Sequence, residues 1–230
     1  AANIGMKAHI FIPNSTPENK KNQIKIFGSE LHLIDGPREN STIAVKKFTK
    51  YTGINYLSHN YNPFFIEGMK SFGHEVFNEF HADITDIIIP VGNGSLLIGA
   101  FKAYKEIIKS KKISKMPKMH CIQVEGFSPI VKKFNSLEWK FNEFSKTLAG
   151  GIAVSNPPRL NQVIESIRNS NGKAIEVSEA EILNWHKELA SWGFLSEITC
   201  AAALAGTEKL IESGAINKKS NIVIPITGSG

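Results

Sequence analysis

The chain has 230 residues, 42% of them hydrophobic and 21% charged, with a formal net charge of +6. This is ordinary globular composition for one large domain or two small ones, and its two cysteines exclude a disulfide framework or a cysteine-ligated metal. No apolar run approaches the ~20 residues that cross a bilayer. The most apolar window, 84–101, is broken by Asp86, Pro90, Gly92, Asn93 and Gly94. No membrane partner is therefore expected, and free thiols point to a reducing, cytoplasmic location. The lysines lie in scattered pairs such as Lys20-Lys21 and Lys132-Lys133, interspersed with acids. A nucleic-acid surface would concentrate them on one stripe with aromatics between, so no nucleic-acid partner is expected.

In chain order, residues 1–5 read as the last turn of a helix closed by Gly5. Residues 8–13 are a strand. A helix follows with Thr16 as N-cap and Pro17 at its first position, and stops at Gly28. Residues 30–34 form a strand, 40–51 a helix ending at Gly53, and 54–58 a further strand. A long helix over 62–83 is entered through Pro63. The run Ile87-Ile88-Ile89-Pro90-Val91 suits a strand buried on both faces. Leu97, Phe101, Tyr104 and Ile108 then recur at helical spacing. Strands over 119–124 and 174–177 enclose a helix over 159–169. Ser178-Glu179-Ala180-Glu181 is a capping box opening the next helix. A helix over 201–213 closes at Gly214, and the last strand covers 221–226. Strands alternating with helices argue for an α/β fold with parallel sheets. Half-polar strands before Tyr61 and apolar ones after it place a boundary there, giving domains 1–61 and 62–230. The two ends, a helix remnant and a strand tip, raise the expectation of a piece of a longer protein.

Two loops could carry chemistry. Gly92, Asn93, Gly94 and Ser95 join a buried strand to a helix, where backbone N–H groups and the helix dipole can cradle a phosphate. The spacing is neither a Walker loop nor a dinucleotide fingerprint, because no Gly-Lys-Ser/Thr follows and residue 97 is leucine. A tight turn that binds nothing is the plain alternative. The terminal Thr227-Gly228-Ser229-Gly230 follows a strand, where a hydroxyl can reach a ligand in the crevice of an α/β sheet. His74 and His81, two helical turns apart, lack a companion cluster, so no metal site is expected. Trp139, Trp185 and Trp192 are spaced as packing residues. Cys121, inside a strand, reads as core, and Cys200 as packing near the crevice.

Six segments taken together resemble threonine synthase and its close relatives. They are 60–68 (NYNPFFIEG), 90–99 (PVGNGSLLIG), 123–126 (QVEG), 147–152 (TLAGGI), 197–206 (EITCAAALAG) and 225–230 (PITGSG). Each is weak alone; their common order is the signal. The resemblance implies the tryptophan synthase β-like pyridoxal-phosphate fold (fold type II): two three-layer α/β domains with mostly parallel sheets and the cofactor between them. It implies that Gly92, Asn93, Gly94, Ser95 and Leu96 hold the phosphate of pyridoxal phosphate and that Thr227 faces its ring nitrogen. A neutral hydroxyl there fits elimination and replacement at the β or γ carbon of a small amino acid better than transamination. Glu197 would lie on the cofactor side. A homodimer is also implied.

Two departures qualify the resemblance. The family's Schiff-base lysine, in a Ser-Phe-Lys-Asp-Arg-like motif, has no counterpart here and is expected before Ala1, so this chain is expected to be inactive by itself. Phe65 stands where many threonine synthases have an arginine near the substrate's anionic end, which weakens the case for a phosphorylated substrate. The alternative reading is a non-catalytic relative that binds pyridoxal phosphate or an amino acid.

Overall fold

The computed structural model describes residues 1–228 apart from Pro37 and Glu143, and says nothing of the Ala82 side chain. Ser229 and Gly230 of the 225–230 segment lie outside the described residues. The chain forms two compact units, Ala1–Ser58 and a larger one from His59 onward.

In the first unit, a single 3-10 turn over Ala2–Ile4 is closed by Gly5 in the left-handed region. Then come β1 (His9–Pro13), α1 (Glu18–Ile26), β2 (Glu30–Ile34) and α2 (Arg38–Thr52). β1 and β2 pair in parallel, with His9 opposite Glu30 and Phe11 opposite His32. Helix α1 is capped at Pro17, not Thr16. The Thr16 N–H donates back to the Pro13 carbonyl at 3.0 Å, closing a turn that delays the helix by one residue. The strand expected over 54–58 does not form. Among the described residues this unit's sheet holds only β1 and β2, and a strand without a neighbour leaves its backbone groups to water. Ile54 and Leu57 are accordingly exposed.

The second unit contains α3 (Pro63–Phe80), β3 (Asp86–Pro90), α4 (Ser95–Lys109), β4 (Lys118–Val124) and α5 (Pro129–Phe134). It continues with α6 (Leu160–Asn169), β5 (Ala174–Val177), α7 (Glu179–Ser191), α8 (Ile198–Glu212) and β6 (Ile222–Val223). The sheet order is β5-β4-β3-β6, and every described pair is parallel. Because side chains alternate along a strand, the apolar run of β3 serves two cores. Ile87 and Ile89 pack with Leu97, Tyr104, Val163 and Ile167 of the α3–α4–α6 layer. Ile88 packs with Ile182, Leu189 and the alanines of α8 on the opposite face. Burying each such isoleucine contributes about 1.5–3 kcal/mol. Helices α3 and α4 approach closely at Gly99, where a Cβ would lie 2.4 Å from the Met69 Cβ and 2.7 Å from its carbonyl carbon.

Local signals explain most boundaries. Asn62 caps α3 by accepting the Phe64 N–H at 2.9 Å, with Pro63 in the first turn. The long helix expected to reach 83 ends at Phe80, because His81 turns to φ 52 and starts a separate 3-10 turn. The strand expected over 221–226 shortens to Ile222–Val223. Its register places Pro225 opposite Ile89, where a residue without an N–H cannot continue the ladder. The Ser178 capping box forms with both of its hydrogen bonds. Ser178→Ala is expected to cost about 1 kcal/mol in urea unfolding, with the midpoint falling and the slope unchanged.

Candidate functional site

The strand order locates a crevice before any ligand is considered. From β3 the chain moves outward through β4 to β5, then returns to place β6 on the other side of β3. The two connections also run on opposite faces, α4 on one and α7–α8 on the other. Strand order therefore reverses between β3 and β6, and the carboxyl ends of strands at such a point are where open α/β sheets bind ligands. Residues 91–95 and 224–228 follow these two adjacent strands.

The first of these loops is shaped by its glycines. Gly94 adopts φ 85, and a Cβ there would stand 2.1 Å from the Val163 Cγ2, so the loop lies flat on α6. Gly92 is buried against the carbonyl of Gly151, where a Cβ would be 3.0 Å away. Gly94 is the N-cap of α4, and no side chain caps the helix. The first intrahelical bond is from the Ile98 N–H to the Gly94 carbonyl at 3.0 Å. The N–H groups of Ser95, Leu96 and Leu97 thus have no partner within the helix, and its first turn carries no acidic residue. Several backbone donors and the positive end of a 15-residue helix suit a dianionic phosphate. The half-buried Asn93 and Ser95 can add side-chain donors. Gly92, Asn93, Gly94, Ser95 and Leu96 are therefore together, and they fit a phosphate group.

The second loop packs against the start of α8. The Glu197 N–H donates to the Gly228 carbonyl at 3.0 Å, and the Cys200 Sγ lies 3.9 Å from the Thr227 Oγ1. Thr227 is exposed, so its hydroxyl is open to a ligand. Glu197 is exposed too, and its side chain flanks Gly228. The 147–152 segment joins the two loops' supports: the Gly151 N–H donates to the Thr199 Oγ1 of α8 at 3.3 Å while its carbonyl faces Gly92.

Gln123 is a positioning residue that periodicity alone does not reveal. It is fully buried in β4. Its amide donates to the Val91 carbonyl at 3.2 Å, and its Oε1 accepts the N–H groups of Ile130 and Val131. It thereby ties the residue before the glycine loop to the first turn of α5. The signal was present in the sequence as a polar residue, like His120, inside an otherwise apolar strand.

Other expected residues stand elsewhere. Phe65 is 39% exposed and meets His59 edge-on at 5.8 Å. His74 reaches Glu106 at 3.4 Å, while His81 contacts the Phe77 ring. Cys121 is fully buried, and desolvation pushes its thiol well above the usual range. Trp185 and Trp192 form an edge-to-face pair beside a groove that also includes Leu204 and Ile211. The half-buried lysines of this unit engage carboxylates. Lys70 bridges Glu67 and Glu106, Lys102 joins Glu67, and Lys132 meets Glu176 at 2.6 Å. Hydrogen bonds from Lys102 and Lys70 hold Glu67 at about 2.

The model of one protein family, described as pyridoxal-phosphate dependent enzyme, matches residues 1–228. The chain belongs to that family. The cofactor of that family is pyridoxal phosphate. The threonine synthase of Methanocaldococcus jannaschii is 30% identical over 235 residues, covering all of this chain and 58% of that protein. The threonine synthase of Bacillus sp. (strain ULM1) is 32% identical over 232 residues, covering 100% of this chain and 64% of that protein. The chain therefore spans roughly three-fifths of the length of these relatives. Maize serine racemase superposes with a TM-score of 0.84 at 21% identity, over 100% of this chain and 68% of that one. Threonine deaminase isoform 2 from Solanum lycopersicum gives 0.82 at 22%, over 99% and 60%. These likenesses establish the fold-type-II α/β architecture; at such identities they establish the fold alone.

Proposed function

We propose that the chain supplies the cofactor-phosphate site of an enzyme of threonine-synthase type, one that eliminates or replaces a group at the β or γ carbon of a small amino acid. The observation that carries the reading is the uncapped N-terminus of α4 at the reversal point of the sheet, one strand away from the Thr227 loop. The backbone donors of Ser95 and Leu96, with the side chains of Asn93 and Ser95, hold the phosphate. Thr227 presents a neutral hydroxyl to the ring nitrogen. Bound pyridoxal phosphate supplies an electron sink for charge developing at the substrate's α carbon. A hydroxyl partner, unlike a carboxylate, leaves that sink only moderately strong, which favours elimination and replacement over transamination. Phe65 in place of a cation supports a substrate without a phosphate group.

The lysine that bonds the cofactor is, in this reading, none of those in this chain; the engagement of Lys70, Lys102 and Lys132 with carboxylates supports it. The chain by itself then binds the cofactor without turning over substrate. The test is a titration with pyridoxal phosphate followed by absorbance, then borohydride reduction and peptide mapping. Saturable binding is expected, with no uniquely labelled lysine. Asn93→Ala and Ser95→Ala should each weaken binding about 10- to 100-fold, the worth of one hydrogen bond to a charged group. Equal affinity for pyridoxal phosphate and unphosphorylated pyridoxal would overturn the phosphate assignment, and one uniquely labelled lysine would overturn the statement about lysine.

A further inference from the structure

Three ligand-type side chains of the first unit converge on one face of its β1–β2 ladder, independently of the glycine loop. His9 stands opposite Glu30 in the register, and His32 is two residues beyond Glu30 on the same strand. Partners in register and residues two apart share a face, so all three project to the same side. The His9 Nδ1 and His32 Nε2 are 3.1 Å apart. The Glu30 Oε1 lies 3.7 Å from the first and 3.5 Å from the second.

The 3.1 Å contact is that of a direct hydrogen bond between the two rings, and the three separations together also suit a shared cation. At 3.5 and 3.7 Å the carboxylate oxygen is too far for a normal bond to either ring nitrogen, yet it faces both. A tetrahedral ion with bonds of ~2.05 Å holds its ligand atoms about 3.3 Å apart, within the range set by this trio. Surroundings fix the donors. Phe11 stacks on His32 at 4.2 Å with the rings 6° from parallel. Phe48 of α2 packs against both imidazoles, at 4.9 and 5.4 Å. Lys7 binds the other Glu30 oxygen, Oε2, at 2.8 Å, which leaves Oε1 turned toward the histidines.

We propose that His9, Glu30 and His32 form a site for a divalent first-row transition ion, Zn2+ foremost. Two imidazoles and one carboxylate are the donor set that suits such ions, and the side-chain exposure of Glu30, 45%, leaves a fourth position for water. The ion cross-links β1 to β2. A pair of strands is marginal without additional support, so the ion would stabilise the small unit in proportion to its binding.

The test uses this chain stripped of metal with a chelator, then titrated with Zn2+ by calorimetry and with Co2+ by visible absorption. One ion per chain is expected, with a dissociation constant of about 1 µM or tighter, together with the d–d bands of a low-symmetry tetrahedral Co2+ site. Losing even an outer-shell partner costs 10- to 100-fold, so Glu30→Gln and His32→Phe should each weaken binding by about 100-fold or more. His32→Phe keeps an aromatic ring against Phe11 and Phe48; Glu30 is exposed enough for its amide to preserve the fold. His74→Ala should bind Zn2+ as the parent does. Absence of stoichiometric binding, or binding unchanged in folded Glu30→Gln, would overturn the assignment.

Discussion

Replacing His120 with alanine is expected to destabilise the larger unit by about 2–3 kcal/mol, because it takes a hydrogen-bond donor from the buried carboxylate of Asp86, which keeps Thr85 and the more distant Lys118. Both side chains are fully buried at the start of the sheet, and the His120 Nε2 lies 2.9 Å from the Asp86 Oδ1. The His120 Nδ1 accepts the Lys173 N–H at 3.2 Å, so the ring proton sits on Nε2 and is donated to Asp86. Burial alone would raise the Asp86 carboxyl; hydrogen bonds from His120 and Thr85 outweigh it and hold the group below the ordinary carboxylate range. The sign of the pH dependence follows. A depressed carboxyl stabilises the fold fully above its unfolded value of ~3.9, and that contribution is lost as pH falls through the lower folded value. Urea unfolding from pH 7 down to pH 2 should show this loss in the parent and a flatter profile in Asp86→Asn. The double variant Asp86→Ala/His120→Ala should lose clearly less than the sum of the singles.

Gly94→Ala is expected to remove most cofactor binding, by about 100-fold, and to cost about 2–4 kcal/mol of stability. Two effects add at this position. Alanine at φ 85 is strained by about 1–2 kcal/mol, and its Cβ would meet the buried Val163 Cγ2 at 2.1 Å. The loop or α6 must move, and the N–H groups of Ser95 and Leu96 move with it. Val163→Ala added to Gly94→Ala removes the steric part but leaves the backbone strain. The double variant should therefore recover part of the stability lost by Gly94→Ala, once corrected for the cost of Val163→Ala alone. Thermal unfolding of the three variants, with cofactor titrations, measures both effects.

How much of this was legible in the sequence differs by element. The run from Ile87 to Val91 announced a strand buried on both faces, and the two cores that share it follow from alternation. The glycine loop, the Asn62–Pro63 helix start and the Ser178 capping box are local signals, and each forms from residues within a few positions. Pro225 was a local signal too, and it cuts β6 short once the register with β3 is known. What sequence could not supply was pairing over distance. The 54–58 segment has a strand-like pattern but joins no sheet among the described residues. His9 and His32 are 23 residues apart, and only the β1–β2 register brings them together with Glu30. Gln123 likewise became meaningful once β4 was seen beside Val91. The loops that follow β3 and β6 leave neighbouring strands because β6 pairs with β3, a fact of topology.

In the proposed reading the backbone at the start of α4 holds a phosphate. Amide resonances of the 15N-labelled chain report on it directly. Adding pyridoxal phosphate should shift the amides of Gly92 through Leu96 more than any others. Inorganic phosphate should produce a weaker copy of the same pattern, and pyridoxal should leave those amides in place. Shifts concentrated elsewhere, or an equal response to pyridoxal, would place the phosphate away from the start of α4.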